Sequence, residues 1–114
     1  FLHVEDLANA VIYALERWDP LDKNAPLDRD GNPSLLLNVG TGKDISIKDL
    51  AILIAKKLNF KGSISWDKTK ADGTPKKLLN IEKIKSLGWE PTISLDNGLD
   101  RTIKEYLSNK ITFT

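Results

Sequence analysis

Apolar residues recur at helical spacing in several stretches of the chain, and between them the pattern changes to short unbroken or alternating runs. Phe1 to Val4 is apolar and β-prone. From Val4 onward Leu7, Ala8, Val11, Ala14, Leu15 and Trp18 keep a helical period, which Asp19-Pro20 ends. Glu5 and Asp6 sit where negative charge offsets the N-terminal helix dipole. Leu35 to Val39 is a continuous apolar run that reads as a buried strand and stops at Gly40-Thr41-Gly42. Ser46 then caps an amphipathic helix carried by Ile47, Leu50, Ala51, Leu53, Ile54, Ala55 and Leu58, with Asp49 at the third position as a capping-box variant. Asn59 and Gly62 end it. Ser63-Ile64-Ser65-Trp66 alternates like a strand. Further on, Asn80 caps a short helix with Ile81, Ile84 and Leu87 on one face and Gly88 at the left-handed cap position. Ser94 opens a final helix whose apolar face is Leu95, Leu99, Ile103, Tyr106 and Leu107; the residues after it, 110–114, are expected to fray.

The expected order is helix, strand, helix, strand, short helix, helix. This is an α/β class chain: four helices with two or three short strands, too few for a complete doubly wound sheet. At 114 residues it reads as a single domain, residues 1–114, able to bury a modest core without disulfides.

Two polar stretches interrupt the pattern. Residues 19–34, with three prolines and a glycine, read as a surface loop. Asp28-Arg29-Asp30-Gly31-Asn32 has some of the look of a calcium loop, but Pro26 would take the first ligand position and no glutamate closes the frame. The second stretch, residues 66–79, reads WDKTKADGTPKKLL and gathers Lys68, Lys70, Lys76 and Lys77 around an Asp72-Gly73-Thr74-Pro75 turn. This basic loop is the candidate ligand site.

Charge sharpens that reading. The net charge is only +1, but residues 1–44 hold eight acids against four bases, whereas residues 56–77 hold seven lysines against Asp67 and Asp72. A local basic patch on a nearly neutral chain suits an anionic small molecule better than a nucleic-acid backbone. Lys56 and Lys57 already have a structural reason, since they offset the C-terminal dipole of their helix.

Catalytic chemistry is sparse. The chain has no cysteine, which excludes disulfides, thiolate metal sites and cysteine catalysis. The only histidine, His3, lies in the apolar entry segment with no partner serine marked, and it reads as structural. No His/Asp/Glu cluster has metal-ligand spacing. Gly40-Thr41-Gly42 follows an apolar run, as a phosphate-binding loop would, but Ile45 stands where the third glycine of the dinucleotide motif belongs; a plain tight turn is the simpler account. No apolar run reaches the roughly 18 residues that a membrane span needs, and a cytoplasmic setting is the default expectation. A start at Phe1 suggests a piece of a longer chain.

FLHVEDLANAVIYALE, LNVGTGKDISIKDLAILIAKKLNFKG, WDKTKADGTPKKLLNIEKIKSLGWEP and SLDNGLDRTIKEYL together resemble the C-terminal third of the extended short-chain dehydrogenase/reductases that act on nucleotide sugars. The resemblance covers nearly the whole chain except the loop at 19–34, which looks longer than in the family. NVGTG and LGWEP are shared widely there. The D-G-T-P-K-K-L-L run is sharper and points to the branch that uses NADPH to epimerise GDP-4-keto-6-deoxy-D-mannose at C3 and C5 and then reduce its C4 ketone.

The resemblance implies a Rossmann-type, homodimeric parent whose NADP loop, Ser/Tyr/Lys reductase group and Cys/His epimerase pair precede the present segment. The 114 residues would then be a substrate-binding portion, inactive alone. It also implies GDP-sugar contacts at Asp72 and Lys77, with Lys76 the less certain neighbour because adjacent side chains on extended backbone point opposite ways. Lysine meets a diphosphate as a point charge. Asp72 either accepts hydrogen bonds from sugar hydroxyls or serves only the turn. Asn80 stands where the family usually has Asp; both cap helices. Two alternatives stay open: a sister nucleotide-sugar 4-epimerase or 4,6-dehydratase, and a non-enzymatic module that binds nucleic acid through the lysines. Neither membrane nor nucleic-acid binding is expected on the preferred reading.

Overall fold

The computed structural model describes residues 1–71, 73 and 77–108. Four helices are found among them: α1 (Val4–Arg17), α2 (Ile47–Lys57), α3 (Glu82–Ser86) and α4 (Leu95–Ser108). The residues divide into two internally cohesive units. One comprises Phe1–Lys43 with Leu78–Leu95, the other Asp44–Lys77 with Asp96–Thr114.

In the first unit α1 begins where the apolar spacing begins. His3 is its N-cap, in extended backbone, and its Nδ1 accepts the Glu5 N–H at 3.3 Å, which gives the lone histidine a structural task. The core is Ala10, Ile81, Ile84 and Trp89, against which Leu2, Tyr13, Leu37 and Val39 pack. α3 is only five residues long, so packing rather than propensity holds it. Its N-cap is Ile81, without a side-chain cap bond, and not the expected Asn80, whose Oδ1 accepts the Glu82 N–H at 2.8 Å from one residue further out.

The end of α3 is closed twice over. Gly88 N–H donates to Lys85 O and Trp89 N–H to Ile84 O, the paired 5→2 and 6→1 bonds of a Schellman cap, and Trp89 packs in the same cluster as Ile84. Gly88 has φ +103°, and the Tyr13 hydroxyl donates to the Leu87 carbonyl beside it at 2.6 Å.

Asp6 supplies a long-range tie. Read from the chain as a dipole residue, it is in fact buried, and its carboxylate accepts three hydrogen bonds. Thr92 N–H and Thr92 Oγ donate to Oδ1 at 3.1 and 2.9 Å, and Ile93 N–H donates to Oδ2 at 2.9 Å. Burial by itself would push the carboxyl up. The backbone bonds from Ile93 and Thr92, then the Thr92 hydroxyl and the charge of His3, outweigh it and hold the carboxyl below its ordinary value.

The loop at 19–34 is built from turns closed by its own acids. Asp19, Asp22 and Asp28 each accept a backbone N–H two residues on, at 2.9, 2.7 and 2.9 Å, and Asp28 also takes that of Asn32. The Asp28 carboxylate is thus committed to its own backbone. Ser34, buried, donates to Leu36 O and accepts from Lys83 Nζ at 2.7 Å, which anchors the loop's end.

In the second unit Ser46 caps α2. Its Oγ accepts the Asp49 N–H at 3.0 Å and donates to the Asp49 carboxylate at 2.7 Å, so the capping pair is closed side chain to side chain. Asn59, at φ +51°, ends α2 in a second Schellman cap, with Asn59 N–H on Lys56 O and Phe60 N–H on Ala55 O. Lys57 Nζ lies 2.9 Å from Asp96 and 2.7 Å from Asp100 in α4. The hydrogen bond to Asp100, followed by that to Asp96, holds this ammonium above its ordinary value.

The expected strands are a correction. No strand occurs among the described residues, where the only β pairing is an isolated antiparallel bridge between Leu27 and Pro33. Residues 35–39 do not form the buried strand that their composition suggests: Leu35 and Leu36 are exposed, while Leu37 and Val39 lie against the core. Residues 63–66 are likewise exposed and unpaired. A run of β-formers becomes a strand only when another segment supplies the lateral N–H and C=O groups. Among the described residues none does.

Candidate functional site

The basic loop leaves α2 through the Asn59 cap. Phe60 folds back over Gly62, where an added Cβ would run into its ring. Ile64 and Trp66 come next, both exposed. The loop's first turn is made by Asp67. Its Oδ1 accepts the Thr69 hydroxyl at 2.6 Å and the Thr69 N–H at 2.9 Å. Those bonds, the hydroxyl first, hold the Asp67 carboxyl below its ordinary value. The signal for this turn is present in the sequence as Asp-x-Thr.

With Asp67 committed to Thr69, the neighbouring lysines are left to solvent. Lys68, Lys70 and Lys77 are all exposed, and no ion pair among the described residues includes them. Lys57 is the contrast, since its two aspartates occupy it. Of the three residues singled out from the sequence, Lys77 is thus placed at the exposed exit of the loop, while Asp72 and Lys76 lie outside the described residues.

Other surfaces offer less chemistry. The first unit has an apolar groove of about 530 Å³ between α1 and residues 35–39, bordered by Val11, Leu15, Trp18, Leu36 and Ile84, with no charged side chain in its lining. Among the described residues no three His, Asp or Glu side chains gather as a metal site would require, and no helix is long and apolar enough to cross a membrane.

Gly40-Thr41-Gly42 closes on itself. The Thr41 Oγ accepts the Lys43 N–H at 3.3 Å and bonds the Lys43 carbonyl at 3.2 Å, while Gly42 takes φ +67°. With Ile45 in place of a third glycine, this turn departs from the dinucleotide-binding motif.

No family profile matches the chain. Individual proteins do. GDP-L-fucose synthase 1 of Arabidopsis thaliana is 40% identical over 109 residues, which covers 96% of this chain and 30% of that protein. The crystal structure of a GDP-6-OMe-4-keto-L-xylo-heptose reductase from C. jejuni superposes with a TM-score of 0.82 at 32% identity, over 95% of this chain and 30% of that one. A GDP-mannoheptose C4 reductase from Campylobacter jejuni with NADP bound gives 0.72 at 29% identity, over 94% and 31%. The chain is therefore similar to nucleotide-sugar enzymes of the extended short-chain dehydrogenase/reductase class, and it spans about a third of the length of the relatives it matches. Within that class it corresponds to the C-terminal part of the GDP-L-fucose synthases.

Proposed function

We propose that this chain is the GDP-sugar-binding portion of an NADPH-dependent GDP-L-fucose synthase, the enzyme that converts GDP-4-keto-6-deoxy-D-mannose to GDP-L-fucose. The observation that carries the reading is the D-G-T-P-K-K-L-L run with Lys77 exposed at its end, in a chain similar to GDP-L-fucose synthases along nearly its full length. Lys77 meets the diphosphate as a point charge; Asp72 holds sugar hydroxyls or shapes the turn, with Lys76 beside them. NADP, the supplier of the hydride, is held by the rest of the parent chain, and the similar reductase with bound NADP supports that cofactor. The parent is a cytoplasmic homodimer that binds neither nucleic acid nor membrane.

Calorimetric titration of the full-length gene product with GDP- and UDP-sugars tests this function. A preference for the guanine nucleotide is expected, and Lys77→Ala should weaken GDP-sugar binding about tenfold, the loss of one charge-assisted contact of about 1.4 kcal/mol. Equal affinity for both bases would favour a sister epimerase or dehydratase. An unaltered affinity in Lys77→Ala would remove the loop from the site.

A further inference from the structure

The basic loop carries one feature that charge does not explain. Of the three tryptophans, Trp89 is buried in the core and Trp18 is partly buried with its indole N–H inside the protein, but Trp66 stands 48% exposed at the head of the loop. An indole left in water at that level forgoes a substantial share of the burial free energy that a large aromatic normally gains. Ile64, two residues earlier, is 41% exposed as well. Two exposed apolar side chains, Ile64 and Trp66, thus immediately precede the lysines along the chain.

The Asp67 turn sets the path of the chain beyond these two residues. Its carboxylate holds Thr69 by two bonds, so the chain direction changes immediately after the indole and Lys68 and Lys70 flank the turn. Trp66 and Lys70 are separated by at most about 14 Å of chain, and by less across a turn. A flat apolar face and a set of cations within that reach match the two halves of a nucleoside diphosphate. One half is a planar base with a π-face; the other is a compact dianion.

We propose that Trp66 is the stacking platform for the purine base of the bound nucleotide, with Lys68 and Lys70 facing its phosphates. This rests on the proposed GDP-sugar site and adds to it a named residue for the base. Stacking is sequence-tolerant in itself, so Trp66 supplies affinity for a large base rather than discrimination among purines.

The full-length gene product is titrated with GDP and, separately, with inorganic pyrophosphate, using wild type, Trp66→Ala, Trp66→Phe and Lys77→Ala; circular dichroism confirms the fold of each. Trp66→Ala should weaken GDP about 5- to 150-fold, the range for loss of one base–aromatic stack, while pyrophosphate affinity stays unchanged. Trp66→Phe should recover most of the loss. GDP should quench tryptophan emission in wild type and not in Trp66→Phe, which keeps Trp18 and Trp89. If Trp66→Ala binds GDP as wild type does, or loses pyrophosphate as strongly as GDP, the platform is refuted. In that event a weakened Lys77→Ala would leave the underlying site standing. If neither variant alters GDP binding, both readings fall.

Discussion

Replacing Asp6 with alanine should lower the unfolding free energy by about 3–4 kcal/mol, measured by urea denaturation followed by circular dichroism at pH 7. The carboxylate is buried and accepts three hydrogen bonds, two of them from consecutive backbone N–H groups at Thr92 and Ile93. Hydrogen bonds to a charged group contribute about 1.5–3 kcal/mol each. The sum is discounted because Thr92 is exposed and its groups can return to water, whereas the Ile93 N–H is left inside. Against a total stability of about 5–15 kcal/mol for a domain, this tie is a large share of what holds the segment after α3 on α1.

The same group gives the effect a pH signature. The folded-state pKa of Asp6 lies below its unfolded value of 3.8, so its contribution is fully present above that pH and is lost as pH falls through the folded value. The stability gap between wild type and Asp6→Ala should therefore be constant from neutral pH down to about 4 and should shrink below it. A gap that stays constant to pH 2 would show that the carboxylate's charge is not what holds Thr92 and Ile93. Asp6→Asn should fall between the two, because its amide keeps one acceptor oxygen and turns the other into a donor.

The second large effect is expected at Gly88→Ala, at about 3 kcal/mol. Its φ of +103° lies where L-residues are strained, and a Cβ there would stand 2.7 Å from the Tyr13 hydroxyl oxygen. That oxygen is not free to swing away, since it donates to Leu87 O at 2.6 Å. The strain costs about 1–2 kcal/mol and displacing the tyrosine about another 1. In a Tyr13→Phe background the clash is gone and only the backbone strain remains, so Gly88→Ala should then cost roughly 1–2 kcal/mol. A double-mutant cycle showing no coupling between positions 13 and 88 would contradict this account.

How much of this was legible in the chain differs by element. The four helices were, because each carries its own period and α1, α2 and α3 also carry a stop, although packing is what holds the five-residue α3. Asp19-Pro20 ends α1, and Ser46 with Asp49 starts α2. Asn59 and Gly88 sit at the left-handed positions of the two Schellman caps. Such signals act through bonds between residues at most six apart, so sequence alone contains both partners. The strands were not legible in the same way. Residues 35–39 and 63–66 have strand composition, yet a strand is a relation between two segments, and among the described residues no second segment takes part.

The site divides similarly. That the loop at 66–79 is basic and turn-rich is a property of its own residues, and so is the Asp67–Thr69 turn. Which lysines remain available is not. The sequence set Lys57 apart as a helix-end residue, but only the fold brings Asp96 and Asp100 to it and leaves Lys77 in solvent. Trp66 and Trp89 are equally apolar, and packing alone makes one a core residue and the other an exposed face. Asp6 shows the limit most sharply: its place in the first turn suggested a dipole role, while its partners lie 86 and 87 residues away. Sequence by itself thus determined the helices, their ends and the basic character of the loop, all set by neighbours along the chain. Tertiary structure decided which charges are paired, which aromatic is exposed and which carboxylate is buried, because burial and pairing depend on residues that the chain order keeps far apart.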